Sequence, residues 1–178
     1  MYSLMNEVQP IKSIRDISRM KKALRGRDLL LFTLGINTAL RISDLLTLTT
    51  SDVSGDYITL VESKTKKTKR IKINASAREA IRKLAPEEGP LFPSRKGGKS
   101  ISRVQAYRIL NAAAERAGVT IEIGCHSLRK TAGYHTYKKT GDIALTMKLL
   151  NHSSERETLR YIGLDAETLD DTYEALCL

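Results

Sequence analysis

Cys125-His126-Ser127-Leu128-Arg129-Lys130 sets an imidazole three residues ahead of a guanidinium, and Asn151-His152 and then Tyr161 follow downstream. On a helical turn, side chains three apart emerge on one face, so His126 and Arg129 can act on one group. The imidazole takes or gives a proton near neutral pH, while the guanidinium is a permanent planar cation that grips phosphate oxygens. Tyr161 adds a nucleophile. Together these types suit phosphoryl transfer.

Such residues need elements to hold them. Ser127 to Thr140 reads as a helix ended by Gly141, Asp142 caps Ile143 to Leu150, and Asn151-His152-Ser153 reads as a turn. Ser154 then starts a segment running to about Tyr161. Upstream, residues 1–27 form a basic extension with a short amphipathic helix ending near Gly26, and Asp28 to Ala39 is an apolar helix that should be buried. The break after it sets Arg41 at an inter-helix corner. Ser43-Asp44 can cap a short helix through Leu48; a cap is the preferred reading of Asp44 over a brace for an arginine.

Tyr57 to Val61 and Arg70 to Ile73 alternate as the strands of a hairpin, joined by a lysine-rich tip, Ser63 to Lys69, that has no glycine. The tip reads either as an edge kept soluble by charge or as a finger laid into a DNA groove. Ala75 to Ala85 is a helix stopped by Pro86, and Glu87 to Ser100 is loop. Ser100 or Ser102 caps a helix running to Ala117, with Gly118 as its stop. Its Arg103, Gln105, Arg108 and Asn111 either read bases and phosphates or form a solvated outer face. His135, further along the helix of His126, reads as a packed core histidine. Ala166 to Leu176 reads as a terminal helix.

The 178 residues suit one domain with an ordinary core, and 41% hydrophobic with 28% charged residues argues against disorder. The apolar run Leu29 to Leu34 is far too short to span a bilayer, and no secretory leader is expected at residues 1–10. The net charge is +10, and the stretch after Gly163 holds five acids without a Lys or Arg, so the preceding part carries +15. A polyanionic partner, most simply double-stranded DNA, is expected. Cys125 and Cys177 lack metal-ligand spacing and read as reduced, cytoplasmic thiols.

Taken in order, Arg41, Lys64, His126, Arg129, His152 and Tyr161 carry a resemblance. Ala39-Leu40-Arg41-Ile42-Ser43-Asp44-Leu45-Leu46-Thr47-Leu48, the Lys64 hairpin, His126-Ser127-Leu128-Arg129-Lys130-Thr131, Leu149-Leu150-Asn151-His152-Ser153 and Tyr161-Ile162-Gly163 resemble the catalytic domain of the tyrosine recombinases, the phage-integrase family. The resemblance runs from about Asp28 to Gly163. It implies a mainly α fold with a small antiparallel β-sheet (α+β). Residues 1–178 read as one catalytic domain, and the upstream DNA-clamping domain that the family normally carries is expected to be absent.

The resemblance also implies roles. Arg41 and Arg129 would grip the non-bridging oxygens of a scissile phosphate, and Tyr161 would attack phosphorus to leave a 3′-phosphotyrosyl link. His126 is the chosen base, Lys64 the acid for the 5′ oxygen, and His152 a hydrogen-bond partner of the phosphate. Lys64 competes with Lys66, Lys67 and Lys69 for its role, and Tyr161 is selected over the other tyrosines by its place after His152. Lys66, Lys67, Lys69, Arg103, Arg108 and Lys130 are the expected DNA contacts. Neither metal nor nucleotide cofactor is expected. Expected partners are DNA, further copies of the chain (dimer to tetramer) and accessory DNA-bending proteins. The acidic residues 164–178 would dock on a neighbouring protomer or pack in cis. The rival readings are a type IB topoisomerase and a non-catalytic DNA-binding protein.

Overall fold

A computed structural model describes residues 8–164 and, beyond them, Tyr173, Glu174 and Leu176. Its elements run α1 (Ile14–Ala23), α2 (Gly26–Thr38), α3 (Ile42–Leu45), a 3₁₀ turn (Ser51–Val53), β1 (Tyr57–Val61), β2 (Thr68–Lys72), α4 (Ala75–Leu84), α5 (Arg103–Ala117), α6 (Cys125–Thr140), α7 (Ile143–Leu150) and α8 (Glu155–Ile162). Fold class is as expected: mostly helix, with one two-stranded antiparallel sheet among the described residues.

The axis of the fold is α2, whose Leu30, Leu31, Phe32 and Leu34 are each wholly buried. One side packs with α3, the hairpin and α4; the other packs with α1, α5 and α6. Gly35 permits the crossing with α6, because a Cβ there would lie 2.4 Å from Leu128 Cδ1. That crossing fixes the height of α6, one residue before Arg129. A third cluster of Ala39, Ala132, Leu150, Ile162 and Leu164 joins the ends of α2, α7 and α8 to α6.

Local chemistry sets the boundaries. Ser102, Asp142 and Ser154 cap α5, α7 and α8 by accepting from the backbone N–H three residues on, at 3.1, 2.8 and 3.3 Å. Gly118 and Gly141 close α5 and α6 with φ of 62° and 65°, a conformation that costs glycine nothing. α6 starts two residues earlier than its sequence indicated, at Cys125, because the Ser127 hydroxyl accepts from Gly124 N at 3.0 Å.

The hairpin departs further. β2 begins at Thr68 rather than Arg70, pairing Leu60 with Lys69 and Ile58 with Ile71. Lys66 turns the tip with φ 57°, so the connection is short although no glycine is present. The short helix also differs, ending at Leu45 with no side-chain cap. Asp44 is therefore not a cap: it is 1% exposed and its Oδ1 accepts from Ser63 N at 2.9 Å, fixing the base of the tip. The expected helix Ala166 to Leu176 lies outside the described residues, apart from Tyr173, Glu174 and Leu176.

Candidate active site

Arg129 is a buried cation of the site, at 2% exposure on α6. Its Nη1 donates to the Ala39 carbonyl and its Nη2 to the Leu150 carbonyl. Both acceptors are orphan carbonyls at the C-terminal ends of α2 and α7, where helix dipoles concentrate negative potential. Ala39 and Asn151 turn the chain there with φ of 53° and 52°. Helix ends, rather than a carboxylate, anchor this cation, so its charge remains to act on an anion.

Arg41 stands at the α2–α3 corner, and its Nη1 meets Glu62 Oε1 at 2.8 Å. Glu62 is 1% exposed. Its other oxygen accepts from Thr65 Oγ1 at 2.7 Å and from Asn151 Nδ2 at 3.0 Å. Burial pushes the Glu62 carboxyl up, but the Thr65 hydrogen bond and the Arg41, Lys69 and Arg129 charges outweigh it and hold the group below its ordinary value. Glu62 is an ionised hub that the sequence reading did not single out. Strand parity could have found it: inward Ile58 and Leu60 put Glu62 next on the same face.

The same parity corrects Lys69. Counting back from Ile73 and Ile71 places it inward, where its Nζ donates to Leu149 O at 2.7 Å. Burial first, then the Arg129 charge, lowers its ammonium to about 8 against partial support from Glu62. Lys69 thus caps the end of α7 instead of reaching out from the tip. Lys130 is corrected likewise: it is 5% exposed, with Nζ 5.1 Å from the Tyr161 ring centroid, beneath that ring rather than on the surface. Lys66 and Lys67 are exposed on the tip, and Arg103 and Arg108 on α5.

His126 stands in the first turn of α6. Burial first, then the Arg103, Lys130, Arg129 and Arg41 charges, lowers its imidazole below the usual value, so it is neutral near pH 7. The same is true of His152, where Glu157 partly opposes burial and the arginines. Thr158 Oγ1 spends its proton on Ser154 O at 2.7 Å, so at 3.2 Å from His152 Nδ1 it can only accept. His152 therefore carries its proton on Nδ1, and Nε2 stays bare until the ring is protonated. The Tyr161 ring meets that of His152 edge-on, with centroids 4.9 Å apart. Burial raises the Tyr161 hydroxyl, and Arg129 and Arg41 pull it back without cancelling the rise. The Tyr161 hydroxyl is therefore protonated near pH 7.

Arg41, Lys64, His126, Arg129, His152 and Tyr161 all line one cavity of about 310 Å³. Five cationic or proton-carrying side chains stand with Tyr161 around this cavity. Two other residues have plain structural roles. His135 is half-buried with Nε2 2.9 Å from Ile11 O, and Cys125 is a buried thiol that burial pushes up despite the Arg103 charge. Among the described residues, no group of three His, Cys, Asp or Glu is arranged to hold a metal ion.

Residues 6–168 match the profile described as the Phage integrase family. The chain is 48% identical over 177 residues to the "Probable integrase/recombinase YoeC" of Bacillus subtilis (strain 168), covering 96% of this chain and 97% of that one. It is 29% identical over 157 residues to the tyrosine recombinase XerD of Corynebacterium glutamicum, covering 83% of this chain and 51% of that protein, about half its length. Among solved structures, the catalytic domain of bacteriophage HP1 integrase superposes with a TM-score of 0.66 at 28% identity, covering 97% of each chain. The fold is also that of a lambda integrase tetramer bound to a Holliday junction, at a TM-score of 0.70 and 17% identity, covering 90% of this chain and 50% of that one. The chain belongs to the phage integrase family, the tyrosine recombinases.

Proposed function

We propose that this chain cleaves and rejoins double-stranded DNA at specific sites through Tyr161. The observation that carries the reading is the convergence of six side chains from five separate parts of the chain on one cavity of about 310 Å³. The Tyr161 oxygen attacks phosphorus and the bond to the 5′ oxygen breaks, leaving a 3′-phosphotyrosyl link and a free 5′ hydroxyl. Arg41 and Arg129 hold the two non-bridging oxygens as charge builds on them, a contact worth about 10² to 10³ in rate each. An ordinary tyrosine has a pKa of about 10. This one sits higher, so His126, neutral at pH 7, takes its proton. Lys64 delivers a proton to the departing 5′ oxygen. His152 donates from Nε2 to the phosphate once the bound anion has raised its affinity for a second proton. Attack by a 5′ hydroxyl on the link reverses the step, and the bond energy is retained without a nucleotide.

The partners in this reading are duplex DNA and further copies of the chain. Exchange between two duplexes involves four strands, hence up to four tyrosines, and lambda integrase has been seen as a tetramer on a Holliday junction. The exposed Lys66, Lys67, Arg103 and Arg108 are the proposed backbone contacts, and accessory DNA-bending proteins would assist. No helix of the described residues is long and apolar enough to cross a membrane, and action on DNA in the cytoplasm is part of the proposal. A nicked suicide duplex carrying a target site, incubated with the protein in EDTA, tests the reading. We expect a covalent protein–DNA adduct that is lost in Tyr161→Phe; DNA binding without any adduct would overturn it in favour of a binding protein. Relaxation of one duplex without exchange between two would favour a topoisomerase.

A further inference from the structure

Arg41, the Lys64 tip and the Asn151-His152 turn are far apart in sequence, yet all three end on one buried carboxylate. Glu62 takes Arg41 Nη1 on one oxygen at 2.8 Å, and Thr65 Oγ1 and Asn151 Nδ2 on the other at 2.7 and 3.0 Å. Its backbone also closes the tip, with Glu62 N donating to Lys67 O and Lys66 N donating to Glu62 O at 3.0 and 2.9 Å. Each tie adjoins a residue of the cavity. Thr65 follows Lys64, and Asn151 precedes His152 at the left-handed turn.

We propose that Glu62 is a positioning residue of the cleavage reaction, its carboxylate binding Arg41, the Lys64 tip and the His152 turn into one preassembled unit. The inference rests on the Tyr161 reading above. A carboxylate beneath a phosphate site is otherwise a liability, because it repels the substrate and competes with it for Arg41. Its retention in a fully buried position is accounted for by what it holds. A buried carboxylate with three side-chain donors has one orientation, and that orientation fixes the reach of its donors. Lys69 reinforces the same floor from the paired strand, where its Nζ holds Leu149 O, two residues before Asn151.

Charge and position predict opposite signs, which makes the proposal testable. Glu62→Gln removes the negative charge while keeping the size of the side chain. If Glu62 were only a counter-charge, the variant would bind DNA more tightly and cleave at least as fast. Positioning predicts DNA affinity unchanged or tighter, with adduct formation at saturating protein slowed about 10- to 100-fold. Thr65→Val and Asn151→Gly each cut one tie without changing charge, and each should slow the step several-fold with the melting temperature little moved. They keep the test open if Glu62→Gln does not fold. The double variant Glu62→Gln/Asn151→Gly should be no slower than the slower single variant, since both act on the His152 turn.

The ring signals of His152 in ¹⁵N-edited spectra, assigned with His152→Asn, report on position without any reaction. They should shift in Glu62→Gln and in Asn151→Gly. If wild-type protein formed no adduct, the Tyr161 reading would fail while these signals still decided on Glu62. Unmoved His152 signals, or a Glu62→Gln variant that cleaves at the wild-type rate, would overturn the proposal.

Discussion

Arg129 and Ala39 stand 90 residues apart in sequence and share a buried hydrogen bond from guanidinium to helix-end carbonyl. The second fork of Arg129 reaches Leu150, so one side chain ties the ends of α2 and α7. Lysine has the charge but not the fork. Arg129→Lys should leave at least one carbonyl without its donor, costing about 1–3 kcal/mol. The rate of adduct formation should fall about 10²- to 10³-fold. Thermal melting and single-turnover cleavage measure the two effects. Unchanged melting would mean that the carbonyl anchors carry no stability.

Gly35 lets α2 cross α6 closely, with Leu128 Cδ1 2.4 Å and Leu128 Cβ 3.0 Å from where a Cβ would stand. Gly35→Ala therefore pushes α6 away from α2, and with it Arg129 from Ala39. Overpacking of this kind costs about 1–3 kcal/mol. At about 2–4 °C per kcal/mol for a chain of this size, melting should drop by several degrees. Cleavage should slow as well, although residue 35 touches no substrate. A variant as stable and as fast as wild type would refute the close crossing.

The acid side of the pH profile follows from His126. Partial burial and four cations lower its pKa, so the neutral base persists below the ordinary imidazole value of about 6.5. Activity requiring the neutral form is full above that value and is lost only as pH falls through the lowered pKa. The second-order rate constant for adduct formation, which reports the free protein, should show its acid limb below pH 6.5. Arg103 is the largest contributor after burial. Arg103→Gln should move the limb upward toward 6.5, whereas a shift downward would contradict the assigned sign.

Lys64 lines the cavity, while Lys66 and Lys67 are exposed on the same tip. A general acid matters only while the leaving oxygen needs a proton. Lys64→Ala should slow cleavage of an ordinary phosphodiester by about 10² to 10⁴. A 5′-bridging sulfur leaves well as a thiolate, so that substrate should restore most of the rate. Lys66→Ala and Lys67→Ala should instead weaken affinity and flatten its salt dependence, by up to about one unit of slope for each phosphate left without its lysine. Rescue of Lys66→Ala by the sulfur substrate would move the acid to that residue.

The legible parts of this site lie where local chemistry marks the ends of elements. Asp142, Gly141, Gly118 and the Ser154 cap are read from residue type alone, and they bracket His152 and Tyr161. Arg41 follows from the break after a strongly apolar helix. The parts that were not legible depend on contacts across the chain. Asp44 looks like a cap within its own turn, and only the backbone of Ser63 reveals its true partner. Lys130 gives no local sign of its burial, because α6 is covered nearly all round from Cys125 to Gly133, apart from exposed His126, so period marks no outer face. Residues 9–12 help to cover it, with Ile11 N donating to Thr131 Oγ1 at 2.8 Å. Glu62 and Lys69 are legible by strand parity, but the density of lysines around them points to the surface instead.

The central claim is that Tyr161 itself carries the DNA. Trapped adduct, digested with nuclease and then trypsin, should yield one modified peptide beginning at Tyr161, because trypsin cuts after Arg160. That peptide also contains Tyr173, so fragmentation must separate the two tyrosines. A 3′-linked nucleotide on Tyr161 is the predicted result. The same mass on Tyr173, or on any residue outside the cavity, would contradict the account.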